Sequence, residues 1–369
     1  MKKIISIAPG RTCLFGDHQD YLGLPIIACA ISRNIKLTAV ENGLRVLNIN
    51  KPDINVKRVI NIDDPIESIE KGDHLLYALK VLKRYGCIPN KGYDVKFIGN
   101  LPINAGTSSS SAVVVSWVNF LIEAFGVDVK VTPEFVSQVA YESEVLEQGA
   151  PGGKMDQYSI GFGNIVYLET GDEFSYKIID TPLEGIIIGE SGIPKETVGL
   201  LTELREKTWF AIEEVKFKIK DFNIKDAKIE DLRKYLNCVS DKSQEYLYAA
   251  ITNHDITKKA LKEFENESPD FRKIGLLMND HHNVLKNVLK ITVPRIDDMI
   301  RAALSAGALG AKIVGSGGGG SIVVLASIGK EQLIINAIKR AGAKDAYQVA
   351  VDPGARISYT SNITNVKHA

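Results

Sequence analysis

Three glycine- or serine-rich stretches hold the side chains in this sequence that could do chemistry. The first is Pro9-Gly10-Arg11-Thr12-Cys13-Leu14-Phe15-Gly16-Asp17-His18-Gln19-Asp20-Tyr21. It sets an arginine, two carboxylates and a histidine at the end of a strand and on the turn beyond. Short carboxylates on a turn can each accept bonds from two neighbouring hydroxyls, which is what a sugar offers. A polar surface turn would use the same residues. The second stretch, Pro102-Ile103-Asn104-Ala105-Gly106-Thr107-Ser108-Ser109-Ser110-Ser111-Ala112, runs straight into an amphipathic helix. Helix starts carry unpaired N–H groups and partial positive charge, so phosphate binds there readily. Gly106 lets the backbone approach a ligand, and the hydroxyls can bond phosphate or reach a magnesium ion. One helix cap needs one serine; four in succession exceed that need.

The third stretch is Lys312-Ile313-Val314-Gly315-Ser316-Gly317-Gly318-Gly319-Gly320-Ser321. Gly315, Gly317 and Gly320 fit the G-x-G-x-x-G spacing of dinucleotide sites, but that fingerprint needs a following helix. Here Ser321-Ile322-Val323-Val324-Leu325 continues as a strand. The stretch reads as a glycine loop packed against something bulky, or as a tight strand connection. Other templates find no support. Gly153-Lys154 and Gly329-Lys330 lack the Ser/Thr of a Walker loop, and neither H-E-x-x-H nor G-x-S-x-G occurs. His281 and His282 are adjacent on a helix and point apart, which favours structural roles over a metal.

The elements that must position these residues alternate in kind. Ile4–Ala8, Ile35–Val40, Tyr93–Ile98 and Asn164–Leu168 read as strands. His74–Arg84, Ala112–Phe125 and Pro133–Leu146 read as helices. The second half is more helical, over Pro194–Ile219, Asp241–Phe264, Asp270–Leu285 and Val293–Ala306. It returns to strands at Lys312–Val314, Ser321–Ala326 and Tyr347–Val351, around a helix at Lys330–Arg340. The 369 residues suit two or three domains at roughly 150 residues each. A boundary near Thr181–Gly185 divides 1–183 from 184–369.

Composition bounds the function. Lys+Arg 45 and Asp+Glu 45 give a formal net charge of +0, which argues against nucleic acid as a partner. Cys13, Cys29, Cys87 and Cys238 are scattered without a C-x-x-C pair, so a reduced, cytoplasmic protein is expected. No run reaches the roughly 18 apolar residues of a membrane span.

The three stretches together resemble the GHMP small-molecule kinases, and within them the galactokinases. Pro9-Gly10-Arg11 through Tyr21 looks like the sugar signature P-G-R-V-N-L-I-G-E-H-T-D-Y, and Gly106 to Ser110 looks like the phosphate loop G-L-S-S-S. Gly315 to Gly320 is similar to the late glycine motif. Gly152-Gly153-Lys154-Met155-Asp156-Gln157 resembles C-G-I-M-D-Q, and Leu277-Met278-Asn279-Asp280-His281-His282 resembles L-M-N-E-S-H. The motifs keep the family's order from end to end.

The resemblance implies an α+β architecture: a ribosomal-protein-S5-like N-terminal domain, a ferredoxin-like C-terminal domain and a site between them. It implies ATP- and Mg²⁺-dependent phosphorylation of a sugar's anomeric hydroxyl, with galactose the reference sugar and a monomer or homodimer as the working form. Another hexose or heptose, acidic or phosphorylated, is the alternative substrate; a non-catalytic sugar sensor is a further one. By position, Asp156 matches the catalytic acid residue and Arg11 its partner. Asp17, His18, Asp20 and Gly153 match sugar-binding positions. Gly106, Thr107, Ser108, Ser109, Ser110, Ser111, Gly315 and Gly317 match ATP-binding positions, and Ser110 with Glu144 the magnesium pair. Three departures concern the sugar. Asp17 replaces the family's glutamate, and Lys154 replaces its isoleucine; that lysine either faces solvent or suits an anionic substituent. The Tyr- and Arg-rich stretch of galactokinases is reduced to Arg205 within Gly192–Trp209.

Overall fold

The computed structural model describes residues 3–195 and 198–358. Along the chain come β1 (Lys3–Phe15), β2 (Ile26–Glu41), β3 (Val46–Lys51), β4 (Val56–Asn61), α1 (His74–Lys83), β5 (Tyr93–Gly99), α2 (Ser109–Phe125), α3 (Pro133–Tyr141), α4 (Met155–Phe162), β6 (Ile165–Glu169) and β7 (Ser175–Ile179). There follow β8 (Ile186–Glu190), α5 (Val198–Lys218), α6 (Leu232–Leu236), α7 (Asp241–Phe264), α8 (Phe271–Asn287), α9 (Pro294–Ser305), β9 (Ala308–Val314), β10 (Ser321–Ala326), α10 (Glu331–Arg340), β11 (Asp345–Val349) and β12 (Arg356–Ser358).

Two sheets organise these elements. The first runs β12-β1-β2-β5-β3-β4, with β6 and β7 continuing from the opening half of β2. The second runs β11-β8-β10-β9 and is antiparallel throughout. Its β-α-β-β-α-β connection is the ferredoxin-like arrangement. The strands β8 and β10 are buried along their whole length, which is why they read as unbroken apolar runs rather than as alternation. On α10, Ile334, Ile335 and Ile338 face the core at helical spacing.

The halves do not separate cleanly. Trp117 and Phe120 of α2 share one core with Ile256, Phe264, Met278 and Val323 from the second half. Tyr21, Leu22 and Leu24 pack with Ala211, Val215, Leu247 and Ile251 of α5 and α7. The turn carrying Asp20 is thereby anchored on helices of the other half. The expected division at 183/184 falls between β7 and β8, but β12 returns to pair with β1.

Some local expectations need correcting. The hairpin β3–β4 and the strands β7, β8 and β12 are additions, as is helix α4. Both β1 and β2 are far longer than expected. The helix expected over Pro133–Leu146 ends at Tyr141, and Glu142–Leu146 forms one wider π turn. The helix expected from Pro194 begins at Val198; residues 196 and 197 of that segment lie outside the described residues. Among the described residues no helix is long and apolar enough to cross a membrane, and the four cysteines are free thiols.

Candidate active site

The site is built around Arg11, which β1 delivers between two irregularities. The β1–β2 register shifts at Pro9/Gly10 and at Cys13/Phe15, and such bulges re-aim the side chains between them. Gly10 makes room for the serine loop, because a Cβ there would lie 2.3 Å from Leu101 Cδ2 and 2.9 Å from Thr107 O. Arg11 Nε and Nη2 donate to Asp156 Oδ1 at 2.8 and 2.5 Å, and Nη1 donates to Gly106 O at 2.6 Å. One buried guanidinium therefore joins the serine loop to the start of α4. Burial opposes charge on Asp156, but Arg11, then Lys195 and the Ser108 hydroxyl, hold its carboxyl below the usual range.

On one side of this pair lies the serine loop. Ser108 precedes α2 with φ +56° and makes no side-chain cap bond, so its hydroxyl is not used in capping. The hydroxyls of Thr107, Ser316 and Ser321 are buried without a protein partner, while that of Ser108 acts on the Asp156 carboxylate. Ser109 and Ser110 stand at the rim of a cleft of about 910 Å³, with Ile49, Phe97, Leu101 and Val113 in its wall. Ser110 Oγ donates to Glu144 Oε1 at 2.9 Å, and Gln157 Nε2 donates to Glu144 Oε2 at 2.6 Å. Glu144 sits in the π turn, a distortion found often at functional sites. Ser111 is buried at the first turn of α2.

Gly106 has φ +87°, and a Cβ on it would come within 3.0 Å of Val314 O. The glycine loop after β9 meets it there. A Cβ on Gly315 would lie 3.8 Å from Gly106 Cα, while one on Gly317 would lie 2.7 Å from Ile291 Cβ. Gly315 thus faces the serine loop, and Gly317 packs on Ile291, the bulky neighbour. Gly106→Val should raise the nucleotide Kd by at least tenfold (~1.4 kcal/mol), since a β-branched residue resists this φ. Titration with a fluorescent ATP analogue checks it; an unchanged Kd in a folded variant would remove the loop from the nucleotide site.

On the other side lies the turn after β1. Asp20 Oδ2 accepts from Met155 N at 3.3 Å, and a Cβ on Gly153 would lie 2.3 Å from the same oxygen, so only glycine allows that approach. Burial, and then the nearby Asp156, push the Asp20 carboxyl up to about 6. His18 has φ +63°; its Nδ1 lies 3.1 Å from Tyr21 Oη, and its buried ring faces the backbone of Gly315 and Ser316 in the glycine loop. Asp20, Gly153, Lys154, Tyr141, Arg205 and Trp209 line a charged cleft of about 780 Å³.

Asp17 stands apart from this group, against the expectation that it faces a sugar. Its Oδ2 takes Lys312 Nζ at 2.5 Å and its Oδ1 takes Gly315 N at 2.8 Å. The side chain is 1% exposed and that of Lys312 0%. Lys312 also donates to Cys13 O and Ile313 O, which uses all three of its hydrogens. Burial works against the charge, yet Lys312 above all keeps the Asp17 carboxyl down at about 2. The shorter side chain turns from the cleft to clasp the glycine loop of the second half. His281 lies behind it, stacked on Phe15 at 6.2 Å between centroids, as a core residue.

Several site residues were not found by sequence reasoning. Lys312 gave no signal, being one cation in an apolar strand. Lys195 follows β8, and its charge acts on Asp156, Arg11 and Glu144; Gly-Ile-Pro-Lys after a strand was the available hint. Tyr141 was hidden inside a helix.

Comparison with known proteins gives the class. Residues 73–164 match the GHMP kinases N terminal domain and residues 257–344 the GHMP kinases C terminal domain. Residues 1–39 match the galactokinase galactose-binding signature. Together with the two-domain α+β fold, these matches define a small-molecule kinase. The chain belongs to the GHMP kinases. It is 27% identical to the mevalonate kinase of Thermococcus sibiricus over 364 residues, covering 96% of this chain and 98% of that protein. Likeness to the galactokinase of Clostridium beijerinckii is also 27%, over 366 residues, 95% of this chain and 91% of that one. Lactococcus lactis galactokinase complexed with galactose has the same fold, with a TM-score of 0.85 at 20% identity, over 96% of this chain and 95% of that one.

Proposed function

We propose that this protein is an ATP-dependent sugar kinase that phosphorylates the anomeric hydroxyl of a monosaccharide, with galactose as reference substrate. The observation that carries the reading is the Arg11–Asp156 pair, which joins the serine loop at Gly106 to the start of α4 and acts electrostatically on Asp20. The apolar cleft beside Ser109 and Ser110 suits a nucleotide base. The Gly106–Ser111 loop, with its unpartnered Thr107 hydroxyl and the free N–H groups of a helix start, suits a triphosphate at the start of α2. Ser110 and Glu144 offer adjacent oxygens from two helices, which fits Mg²⁺ held by one carboxylate, a hydroxyl and substrate phosphates. When bound there, the ion would neutralise phosphate charge.

Phosphoryl transfer depends on positioning and charge neutralisation more than on covalent chemistry. Asp156, kept ionised by Arg11, orients the sugar hydroxyl and takes its proton as the bond to phosphorus forms. Its lowered pKa makes it a weak base, which suits a loose transition state in which the hydroxyl keeps its proton until late. Arg11 and Lys195 offset charge on the group in flight. His18 and Asp20 hold ring hydroxyls. The free thiols fit a cytoplasmic protein.

The reading is tested by ADP release from ATP·Mg²⁺ across free sugars, with product position fixed by NMR and mevalonate as the comparison substrate. Turnover of mevalonate with no sugar accepted would overturn it, and tight sugar binding without turnover would assign a sensor. A pH profile adds a second check. Because Asp20 titrates at about 6, kcat/KM for the sugar should fall as pH drops through 6 and level off above it. Asp20→Asn should erase that limb. The same raised pKa means the folded state holds the extra proton, so this group's share of stability declines as pH rises from about 4 to 6.

A further inference from the structure

The charged cleft contains two cations that the protein does not neutralise. Lys154 is half-buried, and its Nζ reaches Gly171 O at 3.3 Å and lies 5.3 Å from the Phe174 ring centroid. Neither contact supplies a negative charge. Burial pushes its pKa down, with Asp172 opposing from farther off. Arg205 projects from α5 into the same cleft, where its charge acts on the phenols of Tyr21 and Tyr141. Among the described residues it has no carboxylate within ion-pair distance. The remaining cations of the cleft are matched, Lys225 by Glu169 at 3.1 Å and Lys216 by Glu213 at 2.8 Å. The acids facing the cleft are Asp20, Asp172 and Glu173. Asp20 is occupied with Met155 N, and neither Asp172 nor Glu173 pairs with Lys154 or Arg205.

Keeping a partly buried lysine and an arginine without carboxylate partners in one cleft is unfavourable in the empty protein and becomes favourable once an anion arrives. Arg11 and Asp156 are absent from the lining of this part of the cleft, so the anion lies away from the reacting hydroxyl. We propose that the substrate is an anionic monosaccharide, whose carboxylate or phosphate, remote from the anomeric carbon, is held by Lys154 and Arg205. This rests on the sugar-1-kinase reading above. Arg205 presents a planar fork and Lys154 a compact charge, a combination that fits either oxyanion.

The test is kcat/KM with ATP for galactose, galacturonic acid, glucuronic acid and galactose 6-phosphate, for the full chain and for Lys154→Met and Arg205→Met. The expected result is a preference of at least tenfold for an acidic sugar over galactose. Each variant should shrink that acidic-to-neutral ratio by tenfold or more, with Tm held. Preference for the uronic acids assigns a carboxylate, and preference for the 6-phosphate assigns a phosphate. Galactose favoured over every acidic sugar, with a ratio the variants leave unmoved, overturns the inference while leaving the anomeric kinase standing. No anomeric phosphorylation of any sugar overturns both.

Discussion

Asp156→Asn should cost ~10²–10⁴ in kcat while leaving ATP affinity within about twofold, a margin worth only ~0.4 kcal/mol. An asparagine keeps the shape and the Oδ1 acceptor that Arg11 Nε and Nη2 use, so the residue's structural work largely survives. What it lacks is a charge to orient the sugar hydroxyl and a site to take its proton. Single-turnover phosphoryl transfer, measured beside nucleotide binding and Tm, separates these contributions. A folded variant turning over near the parent rate would refute the assignment and leave the chemistry to Arg11, Lys195 and bound metal.

A second large effect is expected at the Asp17–Lys312 clasp. Lys312→Met would strand Asp17, 1% exposed, without its cation; breaking one side of a buried pair costs ~3–5 kcal/mol. Replacing both charges should recover most of that loss, because the desolvation penalty of the pair vanishes along with its attraction. Denaturant unfolding of Lys312→Met, Asp17→Leu and the double variant checks it. If the double variant is as unstable as Lys312→Met alone, the clasp is not the origin of the effect. The sign of the pH dependence is also fixed. With its folded pKa at about 2, Asp17 contributes stability above the ordinary carboxylate range and loses it as pH falls from about 4 towards 2. Activity should fall in Lys312→Met as well, since Asp17 is bonded to Gly315 N and adjoins His18.

Residues that carry unusual chemistry at close spacing were legible in the sequence. Arg11, Asp20, Gly106 and Ser110 stood out in the glycine- and serine-rich stretches, and Glu144, Gly153 and Asp156 through the family resemblance; they lie on β1 and the turn after it, the start of α2, the π turn after α3 and the start of α4. Residues recruited by tertiary contact were not legible. Lys312 looks like any strand residue until Asp17, almost three hundred positions away, is found beside it. Such a pairing has no local signature. The hairpin β3–β4 forms a wall of the base cleft through Ile49, Lys51, Val56 and Arg58. It was overlooked because its outer strand is mostly exposed, with Lys57, Arg58 and Asn61 interrupting its apolar residues, so no sustained apolar alternation announces it. The opening half of β2 and all of β8 were missed for the opposite reason. They are buried on both faces and show no period at all.

The return of β12 to the first sheet bears on how the protein is made. Ile5, Ser6 and Ile7 of β1 pair with Ser358, Ile357 and Arg356, and Asn164 N donates to Asp352 O at 2.7 Å. During vectorial synthesis, β1 to β7 leave the ribosome long before their last partner exists. At ~5–20 residues per second, the bare edge of β1 waits on the order of ten seconds while the second half is translated. An uncovered strand edge is a template for another chain. The nascent protein is therefore most vulnerable to misassembly after its first half has folded, and a fragment ending between β7 and β8 would keep that vulnerability permanently.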